Sequence, residues 1–261
     1  MEGGERMAAG NAVPGALRDF FDAHPHIALA FSGGTDSAYL LYAARACGCD
    51  VRAFYARSAF QPAFERRDAL RLAEQLGAPL TEVPLDVLAV EAVRNNPPER
   101  CYHCKRLIFT ALLAAAREAG YDEVMDGTNA SDDAADRPGM RALSELGVFS
   151  PLRRCGISKD AVRRLSREAG LFTWDKPAYA CLATRVPTGT PIDAGTLRRV
   201  EGAEEALFAL GFSDFRVRFF HGAARLQLPA GQMADALGRR GDIRAALAPW
   251  FDTVLLDLKG R

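Results

Sequence analysis

The stretch HIALAFSGG, residues 26–34, constrains this chain more than any other. An apolar run ending in paired glycines is the pattern of a buried strand that feeds a tight turn. Directly after it, TDSAYLLYAARACG (35–48) places apolar residues at helical spacing and stops on a glycine. The alternation continues, with DVRAFYARS predicting a second strand, AFERRDALRLAEQLGA a second helix and PLTEVPLD a third strand. A long helix is expected from Cys101 to Ala119, and YDEVMDGTN is expected as a fourth strand that breaks into a polar loop. Strands and helices alternating at this spacing imply right-handed crossovers, and hence an α/β fold with a parallel sheet covered by helices on both faces. Sites in such sheets lie at the carboxyl ends of the strands. Three polar loops are therefore expected there: 32–37, 56–61 and 126–133.

Past Ser150 the pattern changes. SKDAVRRLSREAGL predicts a helix with a serine cap, and FTWDKPAYACLATRVPTGTPID is irregular and rich in Pro, Gly and Thr. A helix from Ala194 to Gly211 follows, then strands FRVRFF and AARLQLP split by His221-Gly222, helical residues 231–247 and a last strand, DTVLLDL. That order predicts a smaller α+β domain. The chain has 261 residues, 49% of them hydrophobic, which is enough to bury two modest cores. The expected division is 1–150, a connecting segment 151–190, and 191–261.

The net charge is zero, but it hides an asymmetry. Residues 1–150 hold 15 Lys and Arg against 21 Asp and Glu, whereas residues 151–261 hold 18 against 12. A basic second half suits an anionic ligand or an acidic partner face, and differing solvated faces would look the same. The dense basic runs of a strong nucleic-acid binder are missing, so no nucleic-acid partner is expected. MEGGERMAAGNAVPG lacks a basic stretch followed by an apolar run, and no segment approaches the roughly 18 apolar residues of a membrane span. The expectation is a cytoplasmic protein without a membrane partner. There the six cysteines, at 47, 49, 101, 104, 155 and 181, would stay reduced.

SGGTDS (32–37) lies between the first strand and its helix. Gly33 and Gly34 let the backbone approach a ligand closely, and the helix start offers N–H groups and positive dipole. Ser32, Thr35 and Ser37 add hydroxyls. This suits a pyrophosphate, although a capped Gly-rich turn would look alike. It is neither the Walker loop, which needs a downstream Gly-Lys-Ser/Thr, nor the dinucleotide fingerprint, which needs a third glycine. Asp36, Ser37 and, from the other two loops, Ser58, Asp126 and Gly127 complete the candidate nucleotide contacts.

SGGxDS in this context resembles the pyrophosphate (PP) loop of the N-type ATP pyrophosphatases. Those enzymes cleave ATP between the α- and β-phosphates to adenylate a carboxyl or carbonyl group. The resemblance implies that Asp36 holds Mg²⁺ or orients the pyrophosphate. NPPERCYHCKRLIF, DGTNASDDAADRPGMRALSELGVFSPL, DKPAYACLATRVPTGTPI and FRVRFFHGAARLQLP narrow it further. Together they are similar to the LarE family of ATP-dependent sulfur transferases, from about residue 15 to 258. That family matures the nickel-pincer nucleotide cofactor of lactate racemase. The resemblance implies adenylation of pyridinium-3,5-biscarboxylic acid mononucleotide, replacement of oxygen by sulfur, and a homo-hexamer built of trimers. Some members give up the sulfur of a cysteine, and others carry three cysteines and an iron–sulfur cluster.

Residue by residue, the resemblance places Cys181 at the active site and Arg185, Glu204, Arg216, Arg218 and Asp235 on the substrate side. A thiolate or hydrosulfide is the competent nucleophile against an adenylated carboxylate, because the neutral thiol reacts poorly. Cys181 as a buried apolar filler is the bland alternative. Arg216 and Arg218 share one face of a strand and could grip a phosphate or carboxylate, although a solvated edge would look the same. Glu204 and Asp235 taken alone would be ordinary helix acids. His24, His26, His103 and His221 form no ligand pattern, Cys47 and Cys49 are expected to be structural, and Cys155 is open.

PERCYHCKRL (98–107) sets Cys101 and Cys104 three apart, as redox groups, metal ligands or buried filler. At a helix start they lie on one face, where the dipole favours thiolates. No strand precedes them as in a thioredoxin unit, and no second CxxC completes a structural zinc site. With Cys181, which the resemblance supplies as the third thiol, they are expected to hold a [4Fe–4S] cluster. The alternative is a sacrificial Cys181 with the pair as helper or filler. The expected cofactors are thus ATP, Mg²⁺ and that cluster. The rival functions are a tRNA thiolase of the same superfamily, an amidating synthetase, which would need an amide-transfer half not found here, and a nucleotide-binding module without chemistry.

Overall fold

The computed structural model describes residues 13–132 and 138–261. The last residue of the loop expected over 126–133, and residues 133–137 of the block 126–152, lie outside the described residues. In chain order come α1 (Gly15–Ala23), β1 (His26–Ala30), α2 (Thr35–Ala46), β2 (Asp50–Arg57), α3 (Ala63–Gln75) and β3 (Leu80–Pro84). The middle of the chain forms α4 (Glu91–Arg94), α5 (Arg100–Glu118), β4 (Val124–Met125), α6 (Pro138–Glu145), α7 (Pro151–Arg154) and α8 (Lys159–Glu168). A single 3₁₀ turn, Leu182–Arg185, precedes α9 (Ala194–Ala209), β5 (Arg216–Phe220), β6 (Ala223–Gln227), α10 (Ala230–Gly238), α11 (Arg240–Leu247) and β7 (Val254–Leu256).

These elements pack as two compact units. The first takes the described residues up to Arg57, then Ala63–Leu85 and Cys104–Lys176. The second takes Ser58–Pro62, Asp86–His103 and Pro177–Arg261. The segment 151–190 therefore divides after Lys176, and two short stretches of the amino-terminal half belong to the second unit.

In the first unit the sheet runs β3-β2-β1-β4 with every pair parallel. Ile27, Leu29, Val51, Ala53 and Tyr55 face one apolar cluster, with Leu17, Phe21, Leu41 and Leu165. Ala28, Phe54, Ala56 and Val124 face the other, with Leu112 and Ala116. This period-2 division, with both faces buried, is why β1 and β2 read as continuous apolar runs. The fourth strand is shorter than YDEVMDGTN led us to expect. Only Val124 and Met125 pair with β1, and on the side away from β1 Asp126 donates its backbone N–H to Phe149 O at 2.8 Å.

In the second unit β5 and β6 form an antiparallel hairpin and β6 pairs β7 in parallel. His221 (φ 48°) and Gly222 (φ 84°) make its two-residue turn, the backbone that matches the twist of a hairpin. Helix α9 packs on β5 and buries Val200, Ala203 and Leu207. The helical run expected over 231–247 is two helices, broken at Arg239, whose backbone (φ −98°, ψ 22°) caps both. Gly238 and Gly241 flank the break, and glycine is a poor helix former. No helix among the described residues is long and apolar enough to cross a membrane, and the six cysteines form no disulfide.

Candidate active site

The candidate residues fall into two groups, one in each unit. In the first, β1 delivers Ser32 and Gly33 to the start of α2. Gly33 stands at φ 71° with its α-carbon against α3, where a Cβ would lie 3.0 Å from that of Ala69. Ser32 and Ser37 hold the turn through their hydroxyls, 3.1 Å apart, and Gly34 N donates to Ser32 Oγ at 3.3 Å. Thr35 Oγ1 donates to Thr173 O at 2.8 Å. The result is a loop whose N–H groups open toward the start of a twelve-residue helix, an arrangement that binds anions.

Gly127 closes one side of this loop. A Cβ there would lie 2.9 Å from Ser37 N and 3.2 Å from Ser37 Cα, so only glycine lets the two backbones touch. Asp126 is buried and accepts from Thr128 Oγ1 at 2.5 Å and Ser150 Oγ at 2.7 Å, which shapes the turn that brings Gly127 in. Gly127→Ala is expected to push the loop off α2, destabilising the chain by about 1–3 kcal/mol. Urea denaturation checks the stability, and a raised KM for ATP checks the loop.

Asp36, in the first turn of α2, accepts from Lys159 Nζ at 2.6 Å. Its other oxygen, Oδ1, is buried with no hydrogen-bond partner among the described residues. Burial pushes the carboxyl pKa above the usual range, and Lys159 opposes that shift. A carboxylate short of solvation with one unpartnered oxygen at an anion-binding loop fits a hard cation such as Mg²⁺. Sequence reasoning missed Lys159. It opens α8, where Ser158 caps Ala161 N and Ser131 Oγ accepts from Lys159 N, and its only local signal was a helix start. Ser58 is grouped with the second unit, and its hydroxyl donates to Gln61 Oε1 at 2.6 Å.

The second group surrounds Cys181, which is half-buried and precedes the 3₁₀ turn. Arg185 is fully buried and forks onto Glu204 with bonds of 2.9 and 3.2 Å, and it also donates to Ala180 O at 2.6 Å. Glu204, itself buried, accepts further from Val217 N at 2.9 Å and from the Tyr179 hydroxyl. The Tyr179 ring lies between Arg185 and Arg216, 4.3 and 5.1 Å from their guanidinium carbons. Arg216 donates to Ala178 O at 2.5 Å, and burial, aided by Arg185, pushes its pKa down to about 10. Arg218 is half-buried and donates to Thr184 O at 2.6 Å. The structure thus brings Cys181, Arg185, Glu204, Arg216 and Arg218 together. Asp235 is on α10, ion-paired to Arg239 at 3.3 Å.

Arg185 has one buried carboxylate as counter-charge. Glu204→Ala is expected to leave that guanidinium unpaired in the core and to destabilise the chain by about 3–5 kcal/mol. A melting temperature close to the wild-type value would contradict this.

Sequence reasoning also missed Arg100 and Asn96. Arg100 is buried, donates to Asn96 Oδ1 at 2.8 Å, and turns Nη1 toward Cys181 Sγ at 3.9 Å. Asn96, at φ 53°, donates to Pro187 O and Thr190 O at 2.8 and 3.2 Å. A left-handed asparagine in NNPPER was the available signal.

Cys101 and Cys104 do sit one turn apart at the start of α5, Cys101 exposed and Cys104 buried. Among the described residues no group of three or more His, Cys, Asp or Glu is placed to hold a metal ion. Cys49 is buried, donates to His24 O and has its thiol pushed up to about 11, and Cys155 donates to Ala16 O. Burial raises the Cys155 thiol as well. Both behave as structural thiols.

No family model matches the chain. It is 36% identical over 248 residues to the pyridinium-3,5-bisthiocarboxylic acid mononucleotide synthase of Lactiplantibacillus plantarum, covering 94% of this chain and 88% of that protein. It is 38% identical over 218 residues to an uncharacterized protein of Synechocystis, covering 83% and 81%. Over 193 residues it is 31% identical to a tRNA-specific 2-thiouridylase of Methylobacterium, covering 58% and 50%. The parallel sheet, the glycine loop and the acidic helix start define a nucleotide-binding chain of the PP-loop class. Within that class, the chain belongs to the family of the pyridinium-3,5-bisthiocarboxylic acid mononucleotide synthases, as the LarE resemblance implied.

Proposed function

We propose that this protein is an ATP-dependent sulfurtransferase that converts a carboxylate of pyridinium-3,5-biscarboxylic acid mononucleotide to a thiocarboxylate. The observation that carries the reading is 36% identity over 94% of the chain to a synthase of a bisthiocarboxylic mononucleotide, supported by a glycine loop at a helix start, a geometry that suits a pyrophosphate. A carboxylate oxygen attacks the α-phosphorus, pyrophosphate leaves, and an acyl adenylate forms. A sulfur nucleophile then forms the C–S bond as AMP departs.

Each residue has a part in this scheme. The N–H groups at the start of α2, with Ser32 and Ser37, bind the pyrophosphate portion. Asp36 Oδ1 would hold Mg²⁺, and Lys159 offsets phosphate charge beside it. Arg216 and Arg218 supply the positive field for the anionic substrate, and Cys181 stands at the sulfur-transfer step. Cys101, Cys104 and Cys181 are proposed to hold a [4Fe–4S] cluster, their thiols being the donor type such clusters use. When bound, the cluster would supply a Lewis-acidic iron for a sulfide ligand.

A cytoplasmic setting, assembly as a homo-hexamer built of trimers and service to lactate racemase maturation complete the proposal by family resemblance. Incubation with ATP, Mg²⁺ and the dicarboxylate should yield AMP and pyrophosphate in step with thiocarboxylate. Release of ADP and phosphate would overturn the reading. The thiouridylase likeness supports tRNA thiolation as a second reading, and sulfur incorporation into bulk tRNA in place of the pyridinium nucleotide would favour it.

A further inference from the structure

The segment that carries Cys181 is held by its backbone carbonyls, and arginines do the holding. Ala180 O accepts from Arg185, Thr184 O from Arg218 and Ala178 O from Arg216. Arg261 joins them from the segment after β7. Its Nη2 donates to Ala178 O at 3.2 Å, so this carbonyl is gripped by two guanidiniums. Its Nη1 donates to Asp214 O at 2.7 Å and pairs with the Asp214 carboxylate. Its backbone N–H donates to Leu228 O at 3.1 Å.

Two independent features show that this placement is built in. Asp214 stands in the left-handed region at φ 50°, two residues before Arg216. A side chain there persists only when its surroundings hold it, and here that backbone turns both the carbonyl and the carboxylate to one guanidinium. Gly260 delivers Arg261 from φ 72°, where a Cβ would lie 2.6 Å from Met233 Cε and 3.0 Å from Leu228 O.

We propose that Arg261 is a positioning residue for sulfur transfer. By tying Ala178 O to Asp214, it fixes one end of the Cys181 segment and so sets where that thiol is presented. The role in transfer rests on the proposed function, whereas the hold on the segment does not.

The test uses the full chain as Arg261→Ala, Arg261→Lys and, as a variant that keeps the arginine but displaces it, Gly260→Ala. Amide hydrogen exchange is read at 178–184, where Leu182 N–H bonds Phe60 O and Thr184 N–H bonds Cys181 O. Loss of a charge-assisted bond should speed exchange there about tenfold in Arg261→Ala. Gly260→Ala should follow it, and Arg261→Lys, which keeps the charge but can reach one acceptor at a time, should fall between. In parallel, kcat for thiocarboxylate formation should drop about tenfold in Arg261→Ala while the KM for ATP stays at the wild-type value. A residue that merely staples its own segment would speed exchange at 254–261 and leave 178–184 unchanged, which would overturn the proposal. Faster exchange at 178–184 with undiminished kcat would overturn it too. A wild-type protein without thiocarboxylate formation would count against the proposed function, and the hold on the segment would then be decided by exchange alone.

Discussion

Cys181→Ala is expected to form no thiocarboxylate while still releasing pyrophosphate from ATP in the presence of the dicarboxylate. In the proposed function, adenylation draws on Asp36, Lys159 and the loop of the first unit, whereas Cys181 belongs to the second. The second step needs a sulfur atom, and loss of a nucleophile costs on the order of 10⁶-fold in kcat where it has been measured. The companion variants separate the two sources of sulfur. If three thiols hold a cluster, Cys101→Ala and Cys104→Ala should lose iron and transfer activity together, as Cys181→Ala does. The wild-type protein should then turn over repeatedly on added sulfide. If Cys181 gives up its own sulfur, Cys101→Ala should retain activity, and each chain should act once. Iron analysis and a visible spectrum of anaerobically purified protein, set beside a single-turnover assay, distinguish these outcomes. Thiocarboxylate formed at the wild-type rate by Cys181→Ala would remove this cysteine from the mechanism.

Asp36→Asn should abolish pyrophosphate release and at the same time leave the protein as stable as the wild type or more so at neutral pH. Removing one preorganised electrostatic group from a reacting centre lowers kcat by about 10²–10³-fold. The stability effect has the opposite sign because burial raises the Asp36 pKa above its unfolded value. A raised carboxyl pKa favours folding with the proton on, so the stabilisation is present below the unfolded pKa and is lost as pH rises through the folded one. At neutral pH the ionised carboxylate therefore weighs against folding, and the amide relieves that burden. Mg²⁺ with ATP should raise the melting temperature of the wild type and leave Asp36→Asn unmoved. A variant that is inactive because it is unfolded would fail this test at once.

Much of the first unit is legible in local pattern. HIALAFSGG predicts β1 and its turn, and the matching helix and strand boundaries of α2, β2, α3 and β3 agree within a few residues. Strand and helix periods act over neighbours two to four residues apart, and a glycine turn acts over fewer, so the sequence carries them directly. The outer edge of β4 is different. It is met by Phe149, distant in sequence, which accepts the N–H of Asp126. The break at Arg239 lay within reach, since Gly238 and Gly241 mark it, but apolar spacing alone ran the two helices together.

By itself, the sequence determined the α/β class, the glycine turn at the end of the first strand and the family to which the chain belongs. All three rest on residue types at short fixed spacings, which survive without knowledge of the rest of the chain. Only the tertiary structure decided which charges meet. Lys159 reaches Asp36 across 123 positions of sequence, Arg185 and Glu204 become a buried pair rather than two surface groups, and Ser58 joins the unit of Cys181 rather than that of the loop. A charged side chain has no preferred partner until folding removes water from around it. The choice among many possible counter-charges is then made by burial and approach, which no local pattern encodes.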